Sequence, residues 1–250
     1  MIDIHFHCLP GLDDGPSNWD EAVALCRVAA RDGATRLIAT PHVLRGEWLN
    51  EDVDVRDDLV LRLNTLLEGA PAILPGCEYL FSSEALALLD HGSAGPLIGL
   101  NRSRYLLVEL PSEVSQTAVE AAFHEFRIEG ITPVIAHPER HPALRRAPER
   151  LARLVSRGAR CQVTAASLLG DFGERAADAV ETFFRMGLVH FVASDAHSLE
   201  RRPPRLAAAR ERVRVVWGSE AEAGIFEANP AALLASEPIP WAPAVSVSRG

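Results

Sequence analysis

The 250-residue sequence contains no lysine, so all 25 of its basic residues are arginine. That absence excludes a phosphate-binding loop of the G-x-x-x-x-G-K type and any Schiff-base mechanism. Aromatic residues are scarce, at 6%, so a core must be built from aliphatic side chains. The hydrophobic share of 48% is ample for one. Cysteine occurs only at positions 8, 26, 77 and 161. No two have C-x-x-C spacing, and so few in a chain of this length do not make a disulfide framework. No apolar run approaches the ~18 residues of a membrane span. The opening Met1-Ile2-Asp3-Ile4-His5 is too polar for a signal peptide. A reducing cytoplasm is the expected location, with no membrane insertion. The formal net charge of −9 argues against nucleic acid as a bulk electrostatic partner.

What is present is an alternation of short apolar runs with helical stretches. Strands are expected at Met1 to Ile4, Leu37 to Ala39, Ala72 to Leu74, Tyr105 to Val108, Thr132 to Ala136, Arg160 to Val163 and Leu188 to Ala193. Between them, helices are expected from a Ser17 cap with Asp20 as its box partner to the stop at Gly33, then over Asp52 to Glu68, Ser83 to Leu89 and Ser115 to Glu129. Further helices are expected over Pro148 to Arg157, Gly170 to Met186 and Pro203 to Val213. About seven strands alternating with helices predict an α/β fold with a parallel sheet, open or closed. Residues 1–237 read as a single domain, and Pro238 to Gly250, with three prolines, as a tail.

In α/β barrels the chemistry sits at the carboxyl ends of the strands. His5 and His7 follow the first run, His42 the second and Glu78 the third; Glu109 ends the fourth, His137 the fifth, and Asp195 and His197 the seventh. Five of the nine histidines share that placement, which scattered surface histidines would not. In an extended segment i and i+2 point to one side, so His5-Phe6-His7 and Asp195-Ala196-His197 each offer two ligands to one ion. A donor set of nitrogen and oxygen without thiolate suits Mn²⁺, Fe²⁺ or Zn²⁺. His91, His124 and His141 lack the placement and read as surface or loop residues. His190, inside a strand, reads as a hydrogen-bonded core histidine, and Cys77 as buried packing.

Six segments carry a resemblance: Asp3-Ile4-His5-Phe6-His7, Asp13-Asp14-Gly15, Thr40-Pro41-His42, Gly76-Cys77-Glu78, Ile135-Ala136-His137-Pro138-Glu139-Arg140 and Ala193-Ser194-Asp195-Ala196-His197. Together they resemble the polymerase and histidinol phosphatase (PHP) superfamily. Within it, the chain is similar to the bacterial tyrosine-protein phosphatases of capsule and exopolysaccharide clusters, the CpsB/YwqE group. The likeness runs from Met1 to about Leu234 and includes Arg201-Arg202-Pro203-Pro204. It implies a distorted (β/α)7 TIM-like barrel holding three divalent ions, with manganese the first expectation and iron or zinc the others. By that likeness His5, His7, Glu78 and Asp195 hold one ion, Glu78, Glu109 and His137 a second, and Asp14, His42 and His197 a third. Asp13 is the alternative to Asp14. Arg140 and Arg202 match phosphate-binding positions, with Arg201 the alternative to Arg202. The segment Gln162 to Phe172 is rich in small residues and leaves substrate selectivity open.

The expected reaction is phosphomonoester hydrolysis by in-line attack of a metal-bridging hydroxide, with phosphotyrosine in the tail of a bacterial tyrosine kinase as the implied substrate. A cysteine nucleophile would need arginine six positions downstream, and Cys8, Cys26, Cys77 and Cys161 instead lead to Asp14, Asp32, Ser83 and Ser167. The alternatives are a small-molecule phosphomonoesterase resembling histidinol phosphatase, a nuclease, a non-catalytic phospho-binding module and an amidohydrolase.

Overall fold

The computed structural model describes residues 1–82 and 97–241. The expected helix at Ser83 to Leu89 and the histidine at 91 lie outside them. Nine short strands are described: β1 (Ile2–Phe6), β2 (Arg36–Ala39), β3 (His42–Val43), β4 (Ala72–Pro75), β5 (Glu78–Leu80), β6 (Tyr105–Glu109), β7 (Thr132–Ala136), β8 (Arg160–Thr164) and β9 (Phe191–Ala193). They are apolar along most of their length, as strands covered on both faces must be. All pair in parallel, in a three-stranded sheet ordered β1-β2-β4 and a six-stranded sheet ordered β3-β5-β6-β7-β8-β9. The fold is therefore α/β with parallel sheets, as expected. The single closed sheet of a barrel is not formed among the described residues.

Two breaks divide the sheets. Thr40-Pro41 separates β2 from β3 and Gly76-Cys77 separates β4 from β5. Gly76 has to be small here, since an added Cβ would lie 2.7 Å from Ile38 Cγ2. The sheets meet again where β1 runs beside β9: Asp195 N–H donates to His5 O and His7 N–H to Ala196 O, each at 2.9 Å.

Helices cover the strands: α1 (Trp19–Arg31), α2 (Val53–Leu66), α3 (Gln116–Ile128), α4 (Pro142–Arg146), α5 (Pro148–Ser156), α6 (Ala165–Leu169), α7 (Glu174–Arg185), α8 (Leu206–Trp217), α9 (Ser219–Ala223) and α10 (Asn229–Leu234). Phe123 and Phe126 of α3, Leu151 and Leu154 of α5 and Phe183 of α7 bury themselves against β6, β7 and β8 in the largest core cluster. A second cluster seats Leu25 and Cys26 of α1 and Leu63 of α2 against β1 and β2. A third joins Ile4, Ile38, Leu107, Val134 and Phe191 from five different strands, and Leu233 of α10 packs into it.

Local chemistry shifts several expected boundaries. The α1 cap is Asn18 rather than Ser17: Asn18 Oδ1 accepts from Glu21 N–H at 3.0 Å. Glu21, not Asp20, reaches back to Ser17, whose N–H donates to it at 2.8 Å. The helix expected from Gly170 to Met186 is α7, which begins only at Glu174, and the short α6 precedes it where no helix was expected. Between them Gly170 (φ 89°) and Gly173 (φ 84°) take left-handed conformations that end one helix before the next begins. The last long helix starts at Leu206, beyond Pro203-Pro204, and runs four residues past Val213 to Trp217. The stretch expected as a tail is attached at its start: Trp241 N–H donates to Asn229 Oδ1 at 3.0 Å and its carbonyl accepts from Asn229 Nδ2 at 2.9 Å.

Candidate metal centre

The breaks that interrupt the sheets also deliver candidate ligands. His42 opens β3 and Glu78 opens β5, where they are partners in register. His5 lies within β1 rather than after it, and His7 just beyond. Glu109 ends β6, His137 follows β7, and Asp195 and His197 follow β9. His137 (φ 32°) and Asp195 (φ 53°) hold left-handed backbone conformations unusual for residues with a Cβ. Such conformations concentrate where side chains must be aimed.

All nine expected ligands converge. Donor atoms fall into sets within 4.8 Å of one another: His7, Asp14, His42 and His197; His5, His137 and Asp195; His5, His7 and Glu78; and His42, Glu78 and Glu109. His5 Nε2 is 3.2 Å from both Glu78 Oε2 and Asp195 Oδ1. His7 Nε2 is 3.3 Å and 3.6 Å from the same two oxygens. His137 Nε2 is 2.9 Å from Glu78 Oε1. Asp14 Oδ1 is 3.3 Å from His42 Nε2 and 3.2 Å from His197 Nε2.

Hydrogen bonds behind the cluster set which imidazole nitrogen faces it. His5 Nδ1 donates to Gln162 Oε1 at 3.0 Å, His7 Nδ1 to Asp13 Oδ2 at 2.7 Å, and His197 Nδ1 to the Asp195 carbonyl at 2.9 Å. Each partner is an acceptor, so in the neutral imidazole Nδ1 carries the proton and Nε2 turns a lone pair inward. His5 Nε2 and His7 Nε2 then face each other at 3.1 Å. Two lone pairs at that distance, beside a Glu78 Oε2 that is buried without a hydrogen bond, call for positive charge between them. The donor set and its outer hydrogen bonds thus fit divalent cations.

The electrostatics agree. Burial alone would lower the His5 pKa, but Glu78 and Asp195 outweigh it and push the group up to about 9. At His42 burial is likewise outweighed, by Asp14 and Glu78, and the value rises to about 9. His197 goes the other way, to about 4, because burial and then the neighbouring His7 disfavour its charge. Burial would raise Glu78, yet the surrounding imidazoles hold it well below the usual carboxylate range.

Two open alternatives now separate. Asp13 is buried behind His7, and its Oδ2 also accepts from His42 N–H at 3.1 Å, whereas Asp14 faces the cluster. Arg202 donates to His197 Nε2 at 2.9 Å and pairs with Asp195 Oδ2, and Arg140 donates to that same oxygen at 2.8 Å. Arg201 is exposed and lines the neighbouring clefts. His141, read as a surface or loop residue, is buried: its Nδ1 caps α4 at Leu144 N–H (3.3 Å) and its Nε2 donates to the Pro111 carbonyl at 2.9 Å. His190 is a core residue, as expected, with Nδ1 accepting from Cys161 N–H at 3.2 Å. Sequence reasoning missed Gln162 and Arg45. Arg45 lies beside His42 and is 3.3 Å from Glu109 Oε2. A polar Gln162 in an otherwise buried β8 was the available signal.

Residues 1–235 match the family described as "Capsular polysaccharide synthesis, CpsB/CapC". The chain belongs to this family. It is 38% identical to tyrosine-protein phosphatase YwqE of Bacillus subtilis over 206 residues, covering 81% of this chain and 79% of that one. A solved structure described under YwqE from Bacillus subtilis and CpsB from Streptococcus pneumoniae, as metal-dependent tyrosine phosphatases, superposes with a TM-score of 0.90 at 36% identity, covering 97% of both chains. Dihydropyrimidinase from Brevibacillus agri is similar in fold alone, with a TM-score of 0.56 at 14% identity over 99% of this chain and 72% of that one.

Proposed function

We propose that this protein is a metal-dependent protein-tyrosine phosphatase, acting on a bacterial tyrosine kinase that regulates capsule or exopolysaccharide synthesis. One observation carries the reading: imidazoles anchored through Nδ1 turn Nε2 onto buried carboxylates, with Arg140 and Arg202 converging on the adjacent Asp195. Family membership and the names of the relatives support the substrate class. No helix among the described residues is long and apolar enough to cross a membrane, which fits action in the cytoplasm.

His5, His7, Glu78 and Asp195 would hold one ion, Glu78, Glu109 and His137 a second, and Asp14, His42 and His197 a third; the resemblance makes manganese the first choice, and nitrogen and oxygen donors of this kind also suit iron or zinc. Such ions, when bound, lower the pKa of coordinated water and offset charge on the phosphoryl group. Gln162, Asp13 and the Asp195 carbonyl keep the imidazoles in the ligating tautomer. Arg140 and Arg202 bind phosphoryl oxygens as they now bind Asp195, and neutralise charge that grows toward the transition state. The tyrosine leaving group, with a pKa of ~10, departs with little protonation.

The fold reading is finer than two sheets. With β3 continuing β2 and β5 continuing β4, the parallel pairs succeed one another from β1 round to β9, which lies beside β1 again. Ile4, Ile38, Leu107, Val134 and Phe191 meet in one cluster. This supports a distorted (β/α)7 barrel with the site at its carboxyl end.

The test is phosphate release from a tyrosine-phosphorylated peptide by metal-stripped protein, with Mn²⁺, Fe²⁺ or Zn²⁺ restored in turn and His137→Ala as control. Release that depends on metal and on His137 is expected. Release from small phosphomonoesters alone would replace the reading with a metabolic phosphatase.

A further inference from the structure

The turn between α6 and α7 exposes an aromatic ring where nothing in the fold requires one. Phe172 is 37% exposed. It sits between the two left-handed glycines, Gly170 and Gly173. The turn is braced nonetheless. Asp171 N–H donates to Ala166 O and Gly173 N–H to Gly170 O, both at 2.9 Å. The Asp171 carboxylate accepts from Arg205 at 2.5 Å. That last contact fastens the turn to the chain three residues after Arg202.

The braced ring faces the phosphate-binding arginines. The Arg140 guanidinium carbon lies 5.2 Å from the Phe172 ring centroid, within the range of a cation–π contact. The same guanidinium reaches Asp195 Oδ2 at 2.8 Å. A cleft of about 230 Å³ opens there, with Asp195, Arg201 and Arg202 on one side and Phe172, Ala166 and Pro203 among its other walls. In an aryl phosphate only one bridging oxygen separates phosphorus from the ring. A phosphoryl group held by Arg140 and Arg202 therefore brings that ring within reach of Phe172. The small side chain of Ala166, in α6, leaves room beside it.

We infer that Phe172 is the platform for the leaving group's aromatic ring, and that it makes this site prefer aryl over alkyl phosphomonoesters. The inference rests on the phosphatase reading above. Aromatic pairs stabilise each other beyond the area they bury, whereas a short alkyl group gains only that area. Phe172 is a specificity residue and takes no part in holding metal.

Non-hydrolysable phosphonates separate the possibilities by direct binding. Calorimetry on the Mn²⁺-loaded protein compares phenylphosphonate with ethylphosphonate, for wild type, Phe172→Ala and Phe172→Leu. Wild type is expected to bind the phenyl compound about tenfold more tightly. Phe172→Ala removes that advantage and leaves ethylphosphonate unchanged; Phe172→Leu, which keeps bulk without an aromatic face, falls between. Equal binding of the two compounds by wild type overturns the inference and leaves the phosphatase reading intact. So does an equal loss of both in Phe172→Ala, which would mean that the ring merely supports Arg140. Binding of neither by wild type overturns the phosphatase reading and the inference with it.

Discussion

The Asp13 carboxylate receives the Nδ1 proton of His7 across 2.7 Å. Its sequence neighbour Asp14 points the other way, toward His42 and His197. One aspartate hydrogen-bonds a candidate ligand and the other lies among the candidate donors themselves. Asp13→Asn should therefore keep all the ligands yet weaken metal binding, by roughly 10- to 100-fold. Asp14→Asn should lower the number of ions held per chain. Metal titration with elemental analysis reads both. Equal stoichiometry and equal affinity in the two variants would refute the division of roles.

Arg140 and Arg202 share one oxygen of Asp195. Arg140→Met and Arg202→Met should each lower kcat on a phosphotyrosyl peptide roughly 10²- to 10³-fold. Their metal content should stay that of wild type. If the ions leave together with the activity, the arginines serve to place Asp195 rather than to bind phosphate.

Most of this donor cluster was legible because its candidate ligands sit at the ends of apolar runs, which the chain reveals by alternation alone. His137 after Val134-Ile135-Ala136 and Glu109 after Leu107-Val108 are such cases. The roles of Asp13 and Asp14 were not legible, because only the turn closed by the Gly15 N–H to Asp13 bond decides which carboxylate faces inward. Gln162 was missed because its partner, His5, is 157 residues away. The short α6 was not legible because its five residues directly follow β8, and the start of α7 was set too early because Gly170 and Gly173 do not say where the chain turns. The burial of His141 depends on the Pro111 carbonyl, which no local pattern brings to it.

Burial, and then the Arg160 guanidinium, hold the His190 imidazole down at about 3. Unfolded, it titrates near ~6.5. Between those values the unfolded chain binds one more proton than the folded one, so stability falls as pH drops through that window. His190→Asn, which keeps an acceptor for Cys161 N–H, should flatten the acid limb of a stability–pH curve by up to ~1.4 kcal/mol per pH unit. Urea melts from pH 7 to 4 on both proteins measure this. Parallel curves would mean that another group sets the slope.

Asn229 is fully buried and ties the His190 carbonyl to both backbone groups of Trp241. Asn229→Ala strands those partners, at a cost of at least ~2 kcal/mol. The denaturation midpoint should fall while kcat on a phosphotyrosyl peptide holds at temperatures where the variant is folded. An unchanged midpoint would show that the Trp241 segment contributes nothing to stability.

The strand that begins the described fold lies beside the last one, with Asp195 N–H bonded to the His5 carbonyl. Candidate ligands numbered from 5 to 197 thus become neighbours only when β9 is in place. During synthesis the final donors exist only once translation has passed His197. A shortened product ending between Glu78 and Asp195 keeps His5, His7 and Glu78 but lacks Asp195, His197 and Arg202. Truncated or half-made copies would therefore be silent rather than unregulated, and every active molecule would be one whose translation had passed its last ligand.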